Sequence, residues 1–218
     1  MFLAFGVTEY VLLALALISF ICLLVVFFLY LRKKLLQRFA LLRYFYPIIR
    51  KTAVYYDFYL INQLEISVGL NDSIFIDHLI FGDKYIYLVS DFVFKGTLSG
   101  KSQDSKWILR TKKGEEIMID SPVYKNRELV QRLSLRTALD QTTFIAVTLV
   151  SKDTKITDLE VNDPQNYIID TRDFMKLILK IESRNIRPLN SEELKKRVHE
   201  IDALNLRRNR GRKWPKKM

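Results

Sequence analysis

The chain has 218 residues, enough for one ordinary domain or for a small domain with an anchor. Its 14 phenylalanines and 11 tyrosines can build a hydrophobic core, which argues against disorder throughout the chain. The single cysteine, Cys22, excludes a disulfide scaffold, and with two histidines it cannot complete a zinc centre of the usual kind.

The net charge of +11 is unevenly distributed along the chain. Residues 1–31 contain no lysine or arginine, whereas 32–51 and 205–218 each contain seven basic residues and no acidic ones. The rest of the chain has 21 basic and 23 acidic residues. Because the excess charge lies in two short segments, a uniformly basic DNA-binding domain is not favoured.

Residues 10–31 form an uncharged, apolar stretch of 22 residues. As a helix this stretch would be about 33 Å long, which matches the hydrocarbon core of a bilayer. A signal peptide would place its positive charge before a shorter apolar run, with small residues at the end, but here bulky Phe27 and Phe28 lie near the end. A core helix would not be apolar on all sides over this length. We therefore predict an uncleaved transmembrane helix within an N-terminal segment 1–31.

The charges that flank this stretch predict its orientation. Glu9 is the only charged residue before it, and basic residues follow it. Because positive charge stays on the cytoplasmic side, we expect a single-pass protein of the cell membrane with its N-terminus outside and its domain in the cytoplasm. The residues expected to contact the membrane surface and its anionic lipids are Arg32, Lys33, Lys34, Arg38 and Arg43.

Residues 32–54 are predicted to form a basic amphipathic juxtamembrane helix. Apolar residues recur at roughly helical spacing between the basic ones, and Pro47 predicts a break or kink. The segment can also be a stop-transfer cluster that fixes topology while its apolar face packs on the domain. The two roles are compatible.

Residues 55–204 have the pattern of a mixed α/β domain. Short β-branched runs bounded by turn residues predict strands over 73–80, 84–90, 92–98, 107–110, 116–119 and 167–169. The continuous apolar run 144–150 predicts a strand that is buried on both faces. Helices are predicted over 124–139, over 171–184 after an Asp170 cap, and from an Asn190 or Ser191 cap to about residue 204.

Several features follow one another in a recognisable order between residues 57 and 180. They are IDHLI at 76–80, YIYLV at 85–89, GTLSG at 96–100, Trp107, SPV at 121–123 before a helix, and FIAVTLV at 144–150. In this order they resemble the nuclease-related domain (NERD) family. The resemblance implies a restriction-endonuclease-like fold, and some members of that family are inferred nucleases.

The resemblance also implies a catalytic pattern, with one acid on a strand and an acid and a lysine two residues apart on the next strand. The two carboxylates hold a divalent metal, usually magnesium, and the lysine helps to position or activate water. Asp77 matches the first acid, but Ser90 and Phe92 stand where the second acid and the lysine are expected. A glutamine expected near the start of the next helix is also missing, and Lys125 lies near its position.

Asp91 and Lys95 are weak substitutes for the missing groups. Asp91 is one residue from the expected acid, so alternation along the strand points it away from the face of Asp77 unless a bulge re-aims it. Lys95 is an even number of residues from Asp91, so it is expected on the same face as Asp91 and not on that of Ser90. His78 directly follows Asp77, so its side chain is also expected on the opposite face from Asp77. Because a lone carboxylate holds magnesium poorly, we predict a pseudo-nuclease without a cofactor or metal, and magnesium only if the domain is a nuclease after all. Asp77 is then either a residual catalytic residue or a carboxylate that caps a turn or pairs with a basic residue.

Residues 205–218 have no periodic apolar face and are predicted to be a disordered basic tail. The tail can bind a nucleic acid, with salt-dependent phosphate contacts and a stacked tryptophan, or the same anionic lipids as the juxtamembrane segment. It can also be a solvated tail without a partner. The candidate contact residues are Arg207, Arg208, Arg210, Arg212, Lys213, Trp214, Lys216 and Lys217.

The sequence thus predicts an α/β protein in which an N-terminal transmembrane helix precedes a small restriction-endonuclease-like mixed-sheet domain. The preferred function is a non-catalytic interaction or scaffold module at the inner face of a bacterial membrane, with an unidentified protein partner. The alternatives are a metal-dependent nuclease and a nucleic-acid tether that does not cleave.

Overall fold

The computed structural model describes residues 7–69, 72–160 and 163–207. The described helices are α1 (Val7–Tyr55), α2 (Pro122–Thr137), α3 (Phe174–Glu182) and α4 (Ser191–Ala203). The described strands are β1 (Tyr59–Ser67), β2 (Ser73–Phe81), β3 (Ile86–Phe92), β4 (Gly96–Lys101), β5 (Lys106–Thr111), β6 (Glu116–Asp120), β7 (Phe144–Val150), β8 (Thr154–Glu160) and β9 (Asn166–Asp170). Short 3₁₀ turns precede β7 and α3. The prediction of a mixed α/β domain is confirmed.

Helix α1 runs without interruption through Pro47, so the prediction of a break there is wrong. A proline inside a helix removes one backbone hydrogen bond and crowds the carbonyl four residues earlier. Phe45 and Ile49 flank Pro47 and are completely buried in the core of the domain. Packing of these two side chains therefore holds the helix together where its local sequence would end it.

The chain divides into two compact units, residues 1–44 and 45–218. The second unit includes the end of α1, so it begins earlier than the predicted residue 55. Among the described residues, no helix has both the length and the apolar character needed to cross a membrane, and the predicted transmembrane helix over 10–31 is not supported. The basic residues predicted to contact the membrane surface belong to α1, but their side chains lie outside the described part of the chain.

The larger sheet has the strand order β1-β2-β3-β7-β9. The pairs β1–β2 and β2–β3 are antiparallel, whereas β3–β7 and β7–β9 are parallel. The smaller sheet has the order β6-β5-β4-β8, with β4 and β8 parallel and the other pairs antiparallel. Both sheets are therefore mixed, which fits a restriction-endonuclease-like fold.

Helices cover both faces of the larger sheet. Leu133 of α2 and Ile201 of α4 belong to one apolar cluster, with side chains such as Leu79 of β2. The end of α1 and helix α3 belong to a second cluster, with alternate residues of the same strands such as Ile80. Because neighbouring residues of a strand face opposite sides, each central strand contributes to both clusters.

The smaller sheet has a separate core around Trp107, which is almost completely buried with Leu98 and Leu109. Gly100 lies within β4. A Cβ atom at Gly100 would lie 2.4 Å from the Trp107 ring, and the backbone there has a positive φ of 159°. The glycine thus lets β4 approach the indole closely.

Candidate functional site

A cavity of about 530 Å³ lies at one end of the larger sheet. It is enclosed by β2, β3 and β7 of that sheet, by β5 and β6 of the smaller sheet, and by the start of α2. The lining residues are Phe75, Asp77, Ser90, Asp91, Phe92, Phe94, Lys106, Met118, Ile119, Asp120, Pro122, Lys125, Asn126, Leu129 and Thr148. A volume of this size lies within the range of about 300–1,000 Å³ that is typical of ligand sites.

The start of α2 is fixed by its own sequence. Ser121 is the N-cap, and its side-chain oxygen accepts a hydrogen bond from the Tyr124 amide at 3.3 Å. Pro122 occupies the first position of the helix, where its missing N–H has no cost. This start brings Lys125 and Asn126, both in the first turns of α2, to the cavity wall.

A hydrogen-bond chain crosses the floor of the cavity from β3 to α2 and on to β7. The Ser90 hydroxyl donates to Asn126 Oδ1 at 2.9 Å, and Asn126 Nδ2 donates to Thr148 Oγ1 at 3.0 Å. Ser90 and Thr148 are direct neighbours in the β3–β7 register, and Asn126 and Thr148 are buried. Ser90, which stands where the family resemblance expects a second acid, is therefore an uncharged part of a buried network.

Asp77 accepts a backbone hydrogen bond at the point where β2 and β3 separate. The last paired residues of that ladder are His78 and Val89, and just beyond them the Asp91 amide donates to Asp77 Oδ2 at 3.1 Å. Burial raises the pKa of the Asp77 carboxyl above its usual range. The hydrogen bond from the Asp91 amide opposes this rise, the Asp91 carboxylate adds to it, and His78 and Lys125 oppose it more weakly. Asp77 thus caps the end of the β2–β3 ladder inside the cavity.

Asp91 is engaged on the other face of the sheet. Its Oδ2 lies 3.1 Å from Nε2 of His78, and Nδ1 of the same imidazole lies 2.7 Å from Asn62 Oδ1. His78 is buried, and the ring of Tyr46 from α1 stacks on it at 6.4 Å. Asp91 Oδ1 is buried without a hydrogen-bond partner in the described part of the chain. The carboxylates of Asp77 and Asp91 therefore lie on different faces of the larger sheet, as expected from the alternation of side chains along a strand.

The two lysines considered from the sequence lie in different places. Lys95 is exposed in the connection from β3 to β4 and does not line the cavity. Lys125 does line the cavity and lowers the pKa of Asp77 through its charge. The cation of this site therefore comes from α2, and it does not come from β3.

Arg207, the first basic residue of the predicted tail, is docked on the larger sheet. Its Nη1 donates to Gln63 Oε1 at 2.7 Å, and its Nε donates to Glu65 Oε2 at 3.2 Å. The guanidinium carbon lies 4.5 Å from the ring centre of Phe75. The prediction of a disordered tail does not hold for Arg207. The other predicted contact residues of the tail, from Arg208 to Lys217, lie outside the described residues, and their binding to nucleic acid or lipid stays a prediction.

The donor set of the cavity does not fit a magnesium ion. Magnesium requires near-octahedral oxygen ligands, usually including one or two carboxylates. On the cavity face of β2 and β3, Asp77 contributes one carboxylate and Ser90 a hydroxyl that is already donated to Asn126. The other two carboxylates of the lining have partners, since Asp91 contacts His78 and Asp120 is paired with Lys106. No group of three or more histidine, cysteine or acidic side chains suited to a metal occurs among the described residues.

Sequence reasoning overlooked four polar residues of the cavity, Lys106, Asp120, Asn126 and Thr148. Thr148 could have been identified from the sequence, because it is the only polar residue of the strand 144–150. Lys106 and Asp120 form an exposed ion pair between paired positions of β5 and β6. Asn126 carried no recognisable signal, because its partners are distant in sequence.

Asp77→Asn is expected to stabilise the domain at neutral pH. The raised pKa means that the wild-type fold loses stability as the pH rises from the ordinary aspartate value of 3.8 through the folded pKa of Asp77. Asparagine cannot ionise, so it removes this loss of stability, and its side-chain oxygen can still accept the hydrogen bond from the Asp91 amide. The variant should therefore melt at a higher temperature than the wild type at pH 7, by roughly 2–4 °C for each kcal/mol gained in the free energy of unfolding. At the most acidic pH at which both proteins still fold, their melting temperatures should be equal.

Differential scanning calorimetry of the full chain across this pH range measures the effect. Asp57→Asn, an exposed site with the same change of charge, is the control and should show no such pH-dependent gain. A lower melting temperature for Asp77→Asn at neutral pH would show that the ionised carboxylate is stabilising.

Comparisons with known proteins agree with this architecture. The family model of the nuclease-related domain (NERD) matches residues 39–151, which is more than half of the chain and includes Asp77, Ser90 and the start of α2. Comparison with curated proteins and with solved structures gave no significant match. The resemblance inferred from the sequence is confirmed, and the chain belongs to the nuclease-related domain family.

Proposed function

We propose that this nuclease-related domain is a non-catalytic binding module. It binds a partner at its cavity and does not cleave phosphodiester bonds by a metal-dependent mechanism. The observation that carries the proposal is Ser90, which occupies the position of the second acid and donates its hydroxyl to Asn126. The role fits the interaction or scaffold function expected from the sequence.

Metal-dependent cleavage needs two carboxylates on one metal and a lysine near the attacking water. On the cavity face of the two strands only Asp77 is acidic, and burial raises the pKa of its carboxyl. Phe92 stands at the position of the strand lysine and adds an aromatic ring to the cavity wall. Lys125 replaces the charge of that lysine, but the second metal-binding carboxylate has no replacement on this face.

A cleavage assay tests this proposal. The full chain is incubated with single-stranded DNA, duplex DNA and RNA in Mg²⁺ or Mn²⁺, beside Asp77→Ala and the exposed control Asp57→Ala. We expect the same background of cleavage in all three proteins. Cleavage by the wild type and by Asp57→Ala, but not by Asp77→Ala, would refute a non-catalytic role.

We propose in addition that the protein associates with a membrane through α1. The support is exposure, since the described large apolar side chains between Leu12 and Leu31 are 38–68% exposed. A continuous apolar surface of this kind normally contacts lipid or another protein. The seven basic residues of 32–51 would favour an anionic lipid surface beside it. The predicted orientation, with the N-terminus outside, stays a prediction.

Flotation of the full chain with phosphatidylglycerol–phosphatidylethanolamine vesicles tests this association. The wild type should float with the vesicles, and the double variant Leu24→Arg/Phe28→Arg should float less. Leu135→Arg, at an exposed position of α2, is the control and should float like the wild type. A wild-type chain that stays in the aqueous fraction as a monomer would contradict membrane association.

A further inference from the structure

The cavity combines an aromatic wall with a polar floor. Phe92 and Phe94 contact each other with ring centres 4.4 Å apart, and Phe75 adds a third ring to the lining. The floor is the chain of hydrogen bonds through Ser90 and Asn126. A wall of this kind fits the faces of a flat ring, and such a floor fits a ring edge that carries donors and acceptors.

The floor still has hydrogen-bonding capacity. Asn126 uses one N–H of its amide for Thr148 and its oxygen for Ser90, which leaves the second N–H of Nδ2. The Ser90 oxygen retains its lone pairs when it donates to Asn126. Asp77 adds its carboxyl oxygens to the lining of the same cavity. These groups match the mixed donor and acceptor edge of a nucleobase.

The positive charge of the cavity is concentrated at Lys125. Lys106 is paired with Asp120, and Asp91 contacts His78 on the far face of the sheet. Lys125, by contrast, is exposed and forms no ion pair among the described residues. It lies in the first turns of α2, a helix with no acidic residue in its first turn, so the helix N-terminus favours the same sign of ligand charge. The cavity can thus place one ammonium group against a small anionic group, although the same ammonium also acts on the carboxyls of Asp77 and Asp120.

We propose that the cavity binds a mononucleotide, with the base between the aromatic wall and the polar floor and the phosphate at Lys125. This inference rests on the proposed function, because it takes the cavity as a site of binding without cleavage. A single phosphate suits Lys125, the one lysine of the lining that has no ion pair among the described residues. A polymer would need a basic groove along its backbone, whereas residues 52–204 contain 21 basic and 23 acidic residues.

Isothermal titration calorimetry of the full chain tests the inference. The ligands are AMP, GMP, CMP and UMP, each compared with its nucleoside and with inorganic phosphate. At least one of the four nucleotides should bind more tightly than its own nucleoside and more tightly than inorganic phosphate. Lys125→Gln should weaken that binding by roughly tenfold, because it removes a charge-assisted hydrogen bond to the phosphate. The matched control Lys112→Gln, in the exposed β5–β6 turn, should leave the affinity unchanged.

Three results would overturn the inference. One is that none of the four nucleotides binds, and another is that Lys125→Gln and Lys112→Gln bind equally well. The third is that a single-stranded oligonucleotide binds while every mononucleotide fails, which would assign the cavity to a polymer. The cleavage assay does not depend on these three results. Nucleotide binding can fail while the domain proves non-catalytic, and the domain can prove catalytic while a nucleotide binds.

Discussion

Phe45→Ala is expected to lower the free energy of unfolding of the domain by about 3–5 kcal/mol. Phe45 is completely buried and belongs to the apolar cluster that α1 shares with α3 and the larger sheet. Removing the ring leaves a cavity that the surrounding side chains fill only in part. Urea denaturation of the full chain, followed by tryptophan fluorescence, measures the loss.

Val54→Ala is the matched control for this prediction. Val54 lies on the same helix but is 71% exposed, so its truncation should change the stability by no more than about 0.5 kcal/mol. If Phe45→Ala were as mild as Val54→Ala, the end of α1 would not be part of the domain core. The boundary of the domain would then lie after α1, as the sequence predicted.

The second large effect is expected at the smaller sheet, where Trp107→Ala should cost about 3–5 kcal/mol. The indole is buried with Leu98 and Leu109, and its Nε1 donates to the Lys101 carbonyl at 2.7 Å. Phe92 and Phe94 pack against the same cluster and line the cavity. The substitution should therefore also weaken nucleotide binding, because it removes the support of the aromatic wall.

Urea denaturation followed by circular dichroism measures this loss, since the variant lacks its buried fluorophore. Ile108→Ala, the neighbouring residue of β5 on the exposed face, is the control and should cost much less. Equal losses at the two positions would show that the smaller sheet has no organised core around Trp107.

Much of the fold could be predicted from local sequence. The run 144–150 contains a single polar residue, and it forms β7 with every residue buried. Asn190 caps α4, and its Oδ1 accepts the Glu192 amide, as the position of a small polar residue before a helix suggested. In both segments the local pattern and the tertiary environment favour the same structure, so sequence reasoning succeeds.

Other elements depend on contacts that no local pattern reveals. Strand β8 was not predicted, because charged and polar residues alternate with only two large apolar ones, Ile156 and Leu159. It forms through parallel pairing with β4. The continuity of α1 through Pro47 likewise depends on core contacts made by its neighbours, which override the local preference for a break.

The candidate site could be predicted only in part, for the same reason. Asp77 and Ser90 were found because the family pattern fixes their spacing on consecutive strands. Asn126 joins the site through hydrogen bonds to residues 36 and 22 positions away, which no spacing rule anticipates. Lys125 was noticed only as the residue near a missing glutamine, although it is the lysine of the cavity lining without an ion pair among the described residues.

The central claim is that serine at position 90 leaves the face of β2 and β3 that carries Asp77 without the second carboxylate of a metal site. Calorimetric titration of the full chain with Mn²⁺ tests it most directly. The wild type should have no saturable site in the cavity, whereas Ser90→Asp should gain one that is lost again in Ser90→Asp/Asp77→Asn. A wild-type chain that binds one Mn²⁺, and loses that binding in Asp77→Asn, would contradict the account.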